Sequence, residues 1–185
     1  MRFISEEESA ALVDHAMAFD AYLWAAKAGH RVAQYNVGVA YANGDGVARD
    51  PAAAADWTLR AAVQGFAPAQ FAAACMFRDG HGLPKDPAMA AQWWRKAAEA
   101  GHRDAQFNLA LLYLAGEAVP KDVAVAFSWF LRAAKQGDPV AQRNVAILCA
   151  NGMGTLKDDE AAGHWLRLAA KNGDAAALQL LAEMH

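Results

Sequence analysis

The sequence predicts an all-α fold, a solenoid of helix pairs with a 36-residue period. Three observations carry that expectation. Gly29, Gly65, Gly101, Gly137 and Gly173 recur without insertion or deletion. Trp57, Trp93, Trp129 and Trp165 recur on the same period. Between them lie alanine-rich, proline-poor runs, which favour helix. A constant period of roughly 20–50 residues marks units that bury their apolar faces by stacking on one another.

The period divides the chain into a capping segment at 1–29, four units at 30–65, 66–101, 102–137 and 138–173, and a half-unit at 174–185. In the capping segment Ser5 and Glu8 read as a capping box opening one long helix, in which Ala21 stands where later copies carry tryptophan. Each full unit begins with a leading helix. Its stripe is Ala33, Gln34, Val37, Gly38 and Tyr41, repeated as Ala69, Gln70, Ala73, Ala74 and Phe77, and as Ala105, Gln106, Leu109, Ala110 and Tyr113. At about 100° per residue these gather on one face. The small residues Gly38, Ala74, Ala110 and Ala146 let another helix approach closely.

Gly44, Gly80, Gly116 and Gly152 end the leading helix, and a second glycine follows at Gly46, Gly82 and Gly154, with Ala118 as the exception. Such glycines supply the positive φ that swings the chain round. Asp50, Asp86, Asp122 and Asp158 then cap a second helix, with Pro51 and Pro87 at its first position. Ala54, Ala90, Ala126, Ala162 and the tryptophans form its buried stripe, and Arg60, Lys96 and Arg132 complement its dipole. The pairs Trp93-Trp94 and Trp129-Phe130 read as core, the second member of each being either core or an outer-face patch.

The run Ala90, Trp93, Ala97, Ala98, Gly101, Ala105, Gln106, Tyr113 and Gly116 resembles the Sel-one-like repeat, a longer-looped relative of the tetratricopeptide repeats. The resemblance covers Asp14 to the C-terminus. It implies antiparallel helix pairs stacked into a right-handed α-α superhelix with a concave face. It also implies a scaffold or adaptor, often in bacterial signalling, stress or host-interaction proteins and in eukaryotic quality-control complexes. Some secreted members carry a disulfide in each repeat; this chain lacks those cysteine pairs.

Composition excludes several function classes. Hydrophobic residues make up 56%, charged residues 20%, and the net charge is −3, which suits a soluble protein and not a polyanion-binding surface. The ladder Arg49, Lys85, Lys121 and Lys157 sits beside the Asp caps and offers too little unpaired charge for nucleic acid. No apolar run approaches the roughly 20 residues that span a bilayer. The segment Met1-Arg2-Phe3-Ile4-Ser5-Glu6-Glu7-Glu8 has no apolar core, turns acidic at once and does not read as a secretory signal. Cys75 and Cys149 fall at different phases of the repeat, so reduced thiols and a cytoplasmic setting are expected. His15, His30, His81, His102, His164 and His185 show no ligand spacing, so no metal or cofactor is expected. His30 and His102 read as surface turn residues. No phosphate-loop, nucleophile-elbow or dinucleotide fingerprint appears, and no catalytic residue is assigned.

The expected activity is protein–protein interaction, with a peptide or partner helix on the concave face. On the leading helix, away from the repeated stripe, three rows stand out. One is Tyr35, Phe71, Phe107 and Arg143; the second is Asn36, Asn108 and Asn144, broken by Ala72. These form the candidate partner-binding site: aromatics for contact area, amides for a peptide backbone. Packing between successive leading helices is the competing reading. The third row, Val39, Cys75, Leu111 and Ile147, reads first as packing. Arg31, Arg78, Arg103 and Arg143 suit an acidic peptide or a C-terminal carboxylate, or are ordinary solvated charges. A binder or hydrolase of small glycan or peptidoglycan fragments in the same groove is the alternative. Weak self-association through the solenoid ends is a third expectation.

Overall fold

The computed structural model describes the backbone of residues 6–183 and the side chains of 14–182. The Ser5–Glu8 capping box therefore lies outside the described side chains. The chain divides into two compact units, Met1–Ala97 and Ala98–His185. All regular structure described is α-helix. The first unit holds α1 (Glu6–Lys27), α2 (Arg31–Asn43), α3 (Pro51–Val63), α4 (Ala67–Asp79) and α5 (Pro87–Glu99), the last of which runs just past its boundary. The second holds α6 (Arg103–Ala115), α7 (Val123–Lys135), α8 (Pro139–Asn151), α9 (Asp159–Lys171) and α10 (Ala175–Glu183). Leading helices α2, α4, α6, α8 and α10 begin 36 residues apart, as the glycine period requires.

Local chemistry explains each boundary. Asp50 accepts from the N–H groups of Ala52 and Ala53, Asp86 from Met89, Asp122 from Val125 and Asp158 from Ala161, so each second helix has its expected cap. Gly44, Gly80, Gly116 and Gly152 end the leading helices in the left-handed region. After each turn the Asp N–H returns to the helix just left: Asp50 donates to Tyr41, Asp86 to Phe77, Asp122 to Tyr113 and Asp158 to Cys149. This clasp ties each loop to the hairpin it closes. Ala118 keeps the loop conformation that glycine adopts elsewhere, at φ 58°.

The second glycine does more than turn the chain. A Cβ on Gly46 would strike the His15 carbonyl of α1, one on Gly82 the Pro51 carbonyl of α3, and one on Gly154 the Val123 carbonyl of α7. Each loop thus lies backbone-to-backbone on the second helix of the preceding hairpin. Gly38 plays a matching part inside a hairpin, facing Thr58 and the Ala54 carbonyl.

The repeated glutamine is a buried latch. Gln34, Gln70, Gln106 and Gln142 donate to the carbonyls of Ala26, Ala62, Ala98 and Ala134 at the end of the preceding helix. Their own carbonyls accept from Gln64 onto Gln34, Gln136 onto Gln106 and Asn172 onto Gln142. Thirty positions on from Gln70 the sequence has Ala100, and Gln70 Oε1 is buried without a partner among the described residues. A buried amide is stabilising only when its groups are satisfied, so these bonds fix hairpin register more than they add net stability.

In the first unit Phe19, Ala26, Ala33, Val37 and Ala40 form a core, and Phe19 meets Tyr41 edge-on at 5.4 Å. In the second, Phe130, Val145, Leu148 and Leu166 are packed among small alanines. Trp93 is buried, whereas Trp57, Trp129 and Trp165 are half-buried. The cations of the last turn lie over three of these rings: Arg60 on Trp57 at 4.8 Å, Lys96 on Trp93 at 4.3 Å and Arg132 on Trp129 at 4.4 Å. They complement the dipole and shield the indoles together. The outer-face reading of Trp94 and Phe130 is overturned: both are buried, Phe130 completely. They sit one position beyond the tryptophan row, and that position faces the leading helix of the same hairpin.

Candidate functional site

The leading helices leave one stripe open. On α2 it is Val32, Asn36, Val39 and Asn43; on α8 it is Val140, Asn144, Ile147 and Asn151. On α6 the same register carries Asp104, Asn108, Leu111 and Ala115, and on α4 Pro68, Ala72, Cys75 and Asp79. Val39, Leu111 and Ile147 are 37%, 40% and 39% exposed, so three members of the row first read as packing lie at the surface, while Cys75 is half-buried. Periodicity says which residues share a face; it does not say whether a neighbour covers that face.

Three cavities repeat at one phase. The first, about 380 Å³, is lined by Ala18, Phe19 and Tyr22 of α1 and Asn36 and Val39 of α2. The second, about 340 Å³, holds Tyr35 of α2, Ala54 of α3, and Phe71, Ala72 and Cys75 of α4. A third in the second unit, about 430 Å³, is bounded by Ile147 and Asn151 of α8, Ala162 and Leu166 of α9, and Leu180 of α10. Ala18, Ala54 and Ala162 are equivalent positions, as are Asn36, Ala72 and Leu180. Each hollow is therefore floored by an alanine of a second helix and walled by the next leading helix.

The candidate residues distribute as follows. Tyr35 and Phe71 meet in the second cavity, and Tyr35 also packs edge-on against Phe66 at 5.5 Å. Asn36 lines the first cavity, and Asn108 is half-buried on α6. Phe107 packs edge-on against the buried Phe130 at 5.5 Å, so it serves the core as well as the surface. Asn144 donates to the Val140 carbonyl one turn back. Arg143 binds Asp174 at 3.3 Å, and Asp174 also caps α10 by accepting from Ala177. Asn43 and Asn151 extend the amide row by two turns and were not singled out in the sequence; their spacing of seven from Asn36 and Asn144 was the available signal.

Electrostatics gives the groove little net field. Arg78 grips Asp79 through two bonds of 2.8 and 2.7 Å, which holds that carboxyl below its ordinary range. Arg103 pairs with Asp104 and lies 3.7 Å from Asp138. With Arg143 engaged as well, three of the four arginines considered for an acidic ligand already have carboxylate partners. Burial pushes both the Cys75 and Cys149 thiols up, which disfavours the nucleophilic thiolate. Among the described residues no group of three His, Cys, Asp or Glu side chains is placed to hold a metal ion. No described helix is long and apolar enough to cross a membrane.

His102 sits where α8 and α10 have Asp138 and Asp174. It is half-buried rather than a free surface turn residue, and its Nδ1 accepts from the Ala105 N–H at 3.4 Å. Burial lowers its pKa. The fold favours the neutral ring, so this contribution is full above the unfolded value of about 6.5 and is lost as pH falls through the depressed folded value. Replacing His102 with aspartate should raise the urea midpoint at pH 5.5 more than at pH 7.5. Equal shifts at the two pH values would refute the capping role.

The sequence profile of the Sel1 repeat matches four successive stretches, residues 31–66, 67–102, 103–138 and 139–174. The chain belongs to the Sel1-repeat family. A Sel1 repeat protein from Oxalobacter formigenes is 34% identical, with a TM-score of 0.88 over 92% of this chain and 49% of that one. A protective antigen of uropathogenic Escherichia coli strains with an SLR fold is 33% identical, with a TM-score of 0.84 over 90% of this chain and 36% of that one. This chain thus spans half or less of the length of both. Cysteine-rich protein B of Helicobacter pylori, 17% identical with a TM-score of 0.57 over 71% of this chain and 98% of that one, shares the fold. No significant match was found among curated proteins. As a Sel1-repeat array the chain has the architecture of a protein-interaction module.

Proposed function

We propose that each of the two units holds an apolar segment of a partner protein in the hollows beside its leading helices. The recurrence of one hollow at one repeat phase, with the exposed Val39 and Ile147 lining two of the three, is the observation that carries this reading. Apolar side chains would enter the hollows, and the amides of Asn36, Asn108 and Asn144 would meet the peptide backbone. Tyr35 and Phe71 would grip the segment directly, Phe107 would contribute its outer edge, and Arg143 would contribute the part of its guanidinium that Asp174 leaves open. The free thiols Cys75 and Cys149 support a cytoplasmic setting, and the bacterial origin of the solved relatives supports a bacterial adaptor or signalling role.

Selection from a displayed peptide library should return segments with spaced apolar residues. A variant carrying Val39→Asp and Ile147→Asp should lose at least about ten-fold in affinity for them, because an uncompensated charge would then border the first hollow and the third. Its helicity should stay intact, since both positions are exposed. Unchanged affinity in that variant would rule the groove out. Stabilisation by peptidoglycan fragments, with none by peptides, would favour the glycan reading instead.

A further inference from the structure

The hollows share a repeat phase but not a charge. The position just after the glycine that ends each leading helix is Asp45, His81, Glu117 and Met153 in turn. Asp45 lines the first hollow and His81 the second, whereas the third is lined by no charged side chain among the described residues. The second hollow also has Arg49, and no carboxylate is among its lining residues. It lies wholly within the first unit, walled by α2 and α4.

The basic groups of this hollow are gathered at one end. Tyr35 and Phe71 stand in the first halves of α2 and α4, and with Ala54 they make its apolar part. Arg49 and His81 belong to the loops that follow those two helices. The loops converge, because a Cβ on Gly82 would strike the carbonyl of Pro51, two residues from Arg49. That brings His81 to the start of α3, where the positive end of the helix dipole also lies.

The carboxylates nearby are already engaged. Asp50 accepts from the N–H groups of Ala52 and Ala53. Asp79 feels the charges of His81 and Lys85 but is held first by Arg78, at 2.7 Å. Arg49 has no carboxylate partner among the described residues, unlike Arg60, Arg78, Arg103 and Arg143. Arg49 and His81 are both exposed. The Cys75 thiol, pushed up by burial, stays protonated and adds no negative charge.

We propose that the second hollow selects an acidic side chain in the bound segment, two residues from the apolar side chain that fills the hollow. An extended segment puts side chains two residues apart on one face, so one sits between Tyr35 and Phe71 while the other meets Arg49 and His81. The guanidinium offers a carboxylate paired, charge-assisted N–H bonds, and it repels a cation at the same position. This inference rests on the groove reading and adds a preference at one position of the ligand.

The probes are N-acetylated, C-amidated hexapeptides with leucine second and glutamate, glutamine or lysine fourth. Equilibrium binding to the full chain at low ionic strength should favour glutamate over glutamine by about three- to five-fold, as an exposed ion pair allows. The preference should shrink as salt rises. Arg49→Gln should abolish it, and Arg49→Glu should turn it toward lysine. Arg49 is exposed, so circular dichroism should be unchanged in both variants. Equal binding of the three peptides, or a glutamate preference that survives Arg49→Glu, overturns the inference and leaves the groove reading standing. A glutamine peptide with a free C-terminal carboxylate that outbinds the amidated glutamate peptide overturns it as well, by making the chain end the ligand. Failure of every peptide to bind overturns both readings together.

Discussion

Replacing Phe130 with alanine is expected to cost the second unit about 3–5 kcal/mol, the range for deleting a buried aromatic ring. The ring is fully buried, packed among Ala110, Val145, Ala146 and Leu166, and meets Phe107 edge-on at 5.5 Å. Small alanines surround it, and their backbones cannot close in without moving whole helices, which places the loss toward the upper end. Phe107→Ala should cost less, because that ring is only half-buried. The double variant should show a coupling of about 1 kcal/mol from the lost ring–ring contact. Urea midpoints of the four proteins measure all three quantities. A Phe130→Ala loss below about 1 kcal/mol would show that the ring does not hold the core together. A coupling near zero would return Phe107 to the groove alone.

The two phenylalanines also mark where sequence periodicity stops being informative. The 36-residue period was enough to locate the hairpins, because Asp50 and its equivalents must cap a helix and Gly44 and its equivalents must end one. It also put Gly38 at a close helix contact, as found. The faces of the leading helix were harder. Both are apolar, and a helical wheel cannot tell an apolar row with a neighbour from one without. So Val39, Leu111 and Ile147 read as packing although they are exposed, while Phe107 read as groove although it leans on Phe130. The partners of the latch were invisible for another reason. Gln64, Gln136 and Asn172 stand in turns, where a polar residue needs no explanation, and their contacts lie 30 residues away.

The second glycine of each loop is the other residue whose role only the fold reveals, and Gly82→Ala should destabilise the first unit by about 3 kcal/mol or more. Backbone strain and a steric clash both contribute. The backbone at φ 72° disfavours any Cβ, an effect of about 1–2 kcal/mol partly offset by the lower entropy of unfolded alanine. The clash matters more: the new Cβ would overlap the Pro51 carbonyl, a backbone atom at the start of α3 that cannot rotate away. Gly65→Ala separates the two effects. Its φ is 78°, close to that of Gly82, yet nothing lies within 4 Å of the Cβ it would gain. That variant should therefore show the backbone strain alone, about 1 kcal/mol. If the two substitutions shift the urea midpoint equally, the loop is not pressed on the preceding hairpin and the glycine is only a turn residue. A gap of about 2 kcal/mol or more would identify it as the point where one repeat is clamped to another.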